Sequence, residues 1–382
     1  MKTIAKLLVY IFAAIGGLMF MSIFGLIGFI AFYGSDASLK DTPDNAILWL
    51  DFNGYVPERN ETGDFFGGHE NASFLDYLQA IRAAKNDDKI IAIATELNAT
   101  NLGLAQIQEI RQELIAFRSE TGKRTYLYSE DLGAMGNGML GYYLASSFSV
   151  IWLNPTGGVG LSGLAIEVPF FKDALDRFDI RAEMEQRHEF KGGADPFIRS
   201  KMTAPLRASL TGMVNEWQTQ IFNDMLAQRW QIELNEQELL TQSPFLASKA
   251  LDAKLVSKIA YWDEFDEMLD QLGGPKGSNF IAVEDYKNIK DDFSPTSEAS
   301  EKIAVIQGIG PISNEDYGSG YYTDDTFSPY TVMEAIRDAR EDDDVKAILF
   351  RVSSPGGAYA QSDMVRREIQ KTRESGKPVI VS

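Results

Sequence analysis

The sequence predicts an α/β protein on parallel sheets, arranged as two tandem copies of one unit behind an apolar N-terminal span. Two observations predict the paired units. Residues 80–93 read AIRAAKNDDKIIAI and residues 335–348 read AIRDAREDDDVKAI, with identities that include Arg82/Arg337, Asp87/Asp342 and Ala92/Ala347. Self-similarity of this kind marks a duplicated architecture. The correspondence continues to Thr121-Gly122-Lys123 against Ser375-Gly376-Lys377, with one residue deleted between. In both copies, apolar runs also alternate with stretches of helical period, and strands alternating with helices give a parallel sheet.

The elements follow in order. In the first copy the apolar runs predict strands at 46–52, 90–95 and 124–129, and the helical periods predict helices at 73–86 and 104–119. In the second, strands are expected at 303–308, 346–352 and 378–382, with helices at 330–341 and 360–373. The first copy continues further. A helix from Gly136 to Ser147, a strand from Ser149 to Leu153, the turn NPTGGVGLSG and a strand from Leu164 to Phe170 are expected next. Helical patterns then run from Ala204 to Trp230 and from Phe245 to Leu272, and the Gly-, Asp-, Ser- and Pro-rich stretch from Gly273 to Lys302 reads as a linker. The expected organisation is an anchor at 1–33, a first unit at 46–200, a helical extension at 201–272, a linker at 273–302 and a second unit from 303 to 382. The final strand, Val379–Ser382, would lie mid-sheet, so the natural protein is expected to continue.

Leu7 to Phe32 carries no charge. As a helix it would span about 39 Å, enough to cross a hydrocarbon core of roughly 30 Å. Lys2 and Lys6 precede it and Asp36, Asp41 and Asp44 follow, which places the N-terminus in the cytoplasm and the mass of the chain outside. A cleaved signal peptide is the competing reading, but the run exceeds the ~7–15 apolar residues of such signals and no clear cleavage site follows.

Length and composition narrow the chemistry. A chain of 382 residues exceeds the roughly 100–200 of one average core. A net charge of −19 argues against a nucleic-acid partner, because phosphate neutralisation needs clustered Lys and Arg. With no cysteine there is no thiolate zinc site and no Cys nucleophile; with only His69 and His188, catalytic zinc is not expected. His188-Glu189 lacks the second His that a metalloprotease helix requires, since Gly192 stands there. Thr156-Gly157-Gly158-Val159-Gly160 lacks the Gly-Lys-Ser ending of a phosphate loop and reads as a structural turn. The acidic run Glu341–Asp344 lacks the spacing of an EF-hand.

The signal anchor, the paired units, the segments EFKGGADPF and KALDAKLVSK and the turn VSSPGGAYA together resemble the long, duplicated form of the signal peptide peptidase A family. The resemblance implies a ClpP/crotonase-like fold for each unit, the second one truncated, and a serine nucleophile activated by a lysine. By its position in His188-Glu189-Phe190-Lys191-Gly192-Gly193-Ala194-Asp195-Pro196-Phe197, Lys191 is the implied general base. Such a base must be neutral, which burial achieves, and Phe190 and Phe197 are the expected cover. Where the family has Ser after the lysine, and Glu further on, this chain has Gly192 and Asp195.

Ser353-Ser354-Pro355-Gly356-Gly357 follows a strand and opens a helix, where N–H groups can stabilise an oxyanion. By resemblance Gly356, with Gly357, supplies that hole. The first copy has Asn98-Ala99-Thr100-Asn101-Leu102 instead. The resemblance places the nucleophile beyond Ser382, in the helix after the last strand; the equivalent first-unit helix has Leu140-Gly141-Tyr142-Tyr143 without a serine. A homo-oligomer at the bacterial inner membrane, acting on signal peptides and needing no cofactor, is implied. Two other readings stay open: a catalytically inactive membrane scaffold, and a crotonase-like acyl-thioester enzyme.

Overall fold

A computed structural model of the chain describes residues 41–59, 72–134, 136, 138–290, 301–313 and 326–382. The expected span from Leu7 to Phe32 lies outside them, as does His69. Among the described residues no helix is long and apolar enough to cross a membrane. The described residues fall into two compact units, one within Met1–Val56 and Phe74–Phe293, the other within Pro57–Ser73 and Ser294–Ser382.

The first unit carries β1 (Ala46–Trp49), β2 (Ile90–Glu96), β3 (Arg124–Ser129), β4 (Val150–Leu153), β5 (Gly158–Val159), β6 (Phe245–Leu246), β7 (Lys258–Ile259) and β8 (Asn279–Ala282). Six of these form one sheet in the order β7-β4-β3-β2-β1-β8, and every pair in it is parallel. Helices Phe74–Lys85 and Leu104–Thr121 make the crossovers between β1, β2 and β3. Side chains alternate between the faces of a strand. On one face Ile47, Ala92, Ala94, Tyr126, Tyr128 and Trp152 pack against Phe265 and Leu269 of helix Trp262–Gln271. On the other, Leu48, Ile93 and Leu127 are fully buried, as are Ile107, Ile110 and Leu114 of the second crossover helix.

The second unit repeats the first three strands as β9 (Lys302–Ile309), β10 (Val345–Ser353) and β11 (Val379–Val381), parallel in the order β11-β10-β9. Helices Pro329–Glu341 and Tyr359–Glu374 link them. Its core joins Ile306, Ile348 and Phe350 to Val332, Ile336 and Val365.

The duplication extends to the side-chain ties. In the first unit Glu113 of one crossover helix takes Arg82 at 2.8 Å and Lys85 at 3.8 Å from the other. In the second, Glu368 takes Arg340 at 2.8 Å and Arg337 at 3.6 Å, from the equivalent positions. Each second crossover helix stops at a glycine with left-handed backbone, Gly122 at φ 71° and Gly376 at φ 90°, where a side chain would be strained. The lysine after it reaches back to a turn carbonyl: Lys123 Nζ to Asp87 O and Lys377 Nζ to Asp342 O, both at 2.8 Å. The Gly-Lys pairs seen in the sequence are thus a helix stop and a tie.

Three expectations change. The strand from Leu164 to Phe170 is absent, and the side of β4 away from β3 is taken by β7. The helix from Phe245 to Leu272 is broken into β6, a helix Ala247–Asp252, β7 and helix Trp262–Gln271. Phe245 and Leu246 pair antiparallel with Gly158 and Val159, and Lys254 adopts φ 62°, which no helix continues through. The stretch after Gly273, linker-like in composition, carries β8, which pairs with β1, and helix Val283–Ile289.

Glu368 gives a pH prediction. Hydrogen bonds from Lys371 and then Arg340 hold its carboxyl at about 2, below its ordinary value of 4.5. The folded carboxylate stays ionised while the unfolded one binds a proton, so its stabilisation is present above about pH 4.5 and is lost as pH falls toward 2. Glu368→Gln is expected to destabilise the second unit by roughly 1–3 kcal/mol at about pH 7. In urea melts, that difference should close between pH 4.5 and 2.

Candidate functional site

The turn after β10 is built around two glycines. Gly356 adopts φ 97°, a conformation that side chains rarely tolerate. A Cβ on Gly357 would lie 2.2 Å from Ile312 O. The close approach arises because Gly357 bridges to Ile312 as in a parallel strand pair. Ile312 N donates to Gly356 O and Ala358 N donates to Ile312 O, both at 3.0 Å. Ser354 Oγ accepts the Gly356 N–H at 3.1 Å. The N–H of exposed Gly357 makes no hydrogen bond among the described residues. One amide of the expected pair is therefore free, and the other is capped by a neighbouring hydroxyl that sequence reading did not single out.

Beneath this turn, Arg351 of β10 forms a two-point ion pair with Glu58, Nε to Oε2 at 2.9 Å and Nη2 to Oε1 at 3.3 Å. Gln307 of β9 donates to Glu58 O at 3.0 Å. Nothing local in the sequence announces this, since the partners lie 293 positions apart.

The equivalent loop of the first unit is closed on itself. Asn53 Oδ1 accepts from Asn98 N at 2.7 Å and Ala99 N at 3.3 Å, and Asn98 Oδ1 accepts from Glu130 N at 2.7 Å. Carboxamides occupy the loop amides, and the Pro-Gly-Gly of the second unit has no counterpart there.

Lys191 precedes the short 3₁₀ turn Gly192–Ala194, which runs into helix Asp195–Ile198. Gly192 packs tightly: a Cβ there would lie 2.5 Å from Leu206 Cδ2. A side chain there would have to displace the Leu206 methyls. The Lys191 side chain is exposed and has no hydrogen bond or ion pair among the described residues. The expected cover is missing, because Phe190 and Phe197 are themselves 59% and 41% exposed. Phe197 stacks instead on Phe171, with ring centroids 5.9 Å apart. Asp195 is fully buried; Oδ1 accepts from Arg199 Nε at 2.9 Å and Oδ2 has no partner. Among the described residues no cluster of His, Asp and Glu could hold a metal ion.

Residues 119–274 match the profile of peptidase family S49. The chain carries a peptidase S49 domain. Within that class it is similar to the signal peptide peptidase A family. Protease 4 of Salmonella typhi is 30% identical over 378 residues, 91% of this chain and 58% of that protein. Protease 4 of Haemophilus influenzae is 28% identical over 380 residues, 94% and 60% respectively. The chloroplastic serine protease SPPA of Arabidopsis thaliana is 24% identical over 306 residues, 78% of this chain and 43% of that protein. The chain thus spans less than two thirds of the length of these relatives. Among solved structures, a mutant of a membrane-bound stomatin-specific protease aligns at 11% identity and a TM-score of 0.31, over 63% of this chain and 98% of that one.

The two glycines can be tested directly. Gly356→Ala is expected to cost roughly 1–3 kcal/mol through backbone strain, and Gly357→Ala a similar roughly 1–3 kcal/mol through overlap with Ile312. Both should lower the denaturant midpoint of the second unit. Ala358→Gly, one residue on, serves as the comparison and should change it by about 1 kcal/mol or less.

Proposed function

We propose that this chain is the front part of a membrane-anchored serine endopeptidase of the Ser/Lys dyad type, with ClpP/crotonase-like units, that degrades signal peptides left in the bilayer after export. The observation that carries the reading is the S49 match together with the free Gly357 N–H at the Pro-Gly-Gly turn. Lys191 is the general base. Its amine takes the proton of a serine hydroxyl as the oxygen attacks the scissile carbonyl, and later returns a proton to the leaving amine. Gly357 N–H stabilises the oxyanion, joined by Gly356 when Ser354 releases it. The nucleophile belongs to polypeptide following Ser382. Cover for Lys191 comes from assembly: a homo-oligomer would bury the apolar segment around Phe171, Phe178, Phe190 and Phe197, all exposed in the single chain, and with it the amine.

The anchor at Leu7–Phe32 holds the protein in the bacterial inner membrane with the units outside the cytoplasm. Its positive flank supports this orientation. Substrates are peptides, lipid is the other partner, and neither nucleic acid nor a cofactor enters. A catalytically inactive scaffold and an acyl-thioester enzyme are the rival readings, separated by peptide hydrolysis.

Two experiments decide it. In a protein that includes the segment after Ser382, Lys191→Ala should lower hydrolysis of a fluorogenic Leu-rich peptide by ~10²–10⁴-fold with assembly intact. Lys191→Arg should be as inactive, because a guanidinium does not give up its proton at about pH 7. Lys201→Ala should keep full activity. Residues 34–382 alone should be inactive; turnover equal to that of the longer protein would remove the nucleophile from the segment proposed here.

A further inference from the structure

The segment KALDAKLVSK, residues 249–258, takes no part in the dyad chemistry. Its three lysines are placed differently. Lys258 Nζ lies 3.9 Å from the centroid of the Trp152 ring and 3.7 Å from a Glu264 oxygen. Lys249 and Lys254 instead line a cavity of about 540 Å³ in the first unit, within the roughly 300–1,000 Å³ of small-molecule sites.

The backbone brings these two lysines together. Lys249 lies on helix Ala247–Asp252. If that helix ran on, Lys254 would stand about 140° around the axis from Lys249, on a different face. The helix stops at Asp252, and Lys254 takes φ 62°. That left-handed conformation is unfavourable for a residue with a side chain, and such strain gathers at ligand clamps. The turn is held in place: Lys254 N donates to Leu251 O at 3.0 Å, and Lys254 O accepts from the buried Arg229 at 3.3 Å.

Asp252 and Glu233 line the same cavity, as do the apolar side chains of Leu234 and Phe245. Among the described residues none of the four charged side chains makes a hydrogen bond or an ion pair, with one another or with any neighbour. Two amines and two carboxylates thus face one concavity, balanced in sign and unpaired. An anion would meet the carboxylates there, and a cation the amines. A ligand with a charge of each sign at its two ends suits both sets through charge-assisted hydrogen bonds, and Leu234 and Phe245 offer its apolar side chains a surface. We propose that this cavity binds a short peptide with both ends free, its α-carboxylate on Lys249 and Lys254 and its α-ammonium on Asp252 and Glu233. The site stands without the peptidase reading; under that reading, such peptides are the enzyme's own products.

The test titrates the full chain in detergent calorimetrically with leucyl-leucine, near neutral pH and at constant ionic strength. Three blocked forms are the comparisons: N-acetyl-leucyl-leucine keeps only the carboxylate, leucyl-leucinamide only the ammonium, and N-acetyl-leucyl-leucinamide neither. Saturable one-to-one binding of the free dipeptide is expected, with each blocked form at least about tenfold weaker. Lys249→Gln and Asp252→Asn, both at exposed positions, should each weaken the dipeptide by at least about tenfold. In Lys249→Gln the advantage over leucyl-leucinamide should shrink, and in Asp252→Asn the advantage over the N-acetyl form. Lys191→Ala should bind the dipeptide as the parent does. No saturable binding of leucyl-leucine, equal binding of the blocked forms, or unchanged affinity in folded Lys249→Gln would overturn the proposal. So would loss of binding in Lys191→Ala, which would put the dipeptide at the peptidase site instead.

Discussion

Each unit depends on a carboxylate that joins its two crossover helices. A parallel sheet needs its helices side by side on a face, and the cations that the first helix turns toward the second need an acceptor there. Glu113 and Glu368 supply it, each taking two cations from the preceding helix. The Lys123 and Lys377 ties then hold the turn that precedes the second strand of each unit. The same arrangement survives in both copies although most surrounding residues differ. The packing requirement has outlasted the sequence that first met it.

On this shared frame the two loops after the second strand have taken different courses. In the first unit, the carboxamides of Asn53 and Asn98 accept the N–H groups of Asn98, Ala99 and Glu130, so these amides are taken within the loop. In the second, glycines bring the loop against Ile312 and leave one N–H outward. Duplication thus let the two loops diverge on one frame.

Much of the fold was legible because its signals are local. Apolar runs and helical periods mark β1–β3 and β9–β11, and Gly122 and Gly376 mark helix ends that any chain with a left-handed stop must mark. What failed was non-local. Phe245 and Leu246 look helical until Gly158 and Val159, far upstream, offer them a partner. β8 hides in a polar stretch because an edge strand needs few apolar residues on its outer side. At the candidate site the glycines of the turn were readable from their type. The Ser354 cap and the Glu58–Arg351 pair were not, because each depends on how the chain bends back. The burial assigned to Lys191 rested on its aromatic neighbours, and in the single chain those rings face outward.

The unequal sheets have a consequence for handling the protein. In the first, β8 covers the outer edge of β1, so that edge has no unpaired backbone groups to offer. In the second, β9 and β11 are the two outer strands among the described residues, and Ile303 and Val305 are exposed along β9. A bare parallel edge with aliphatic side chains is a template for another extended chain. Lys302, at the start of that strand, is the single positive charge along it, so little charge on β9 itself keeps molecules brought together at high concentration from pairing along this border.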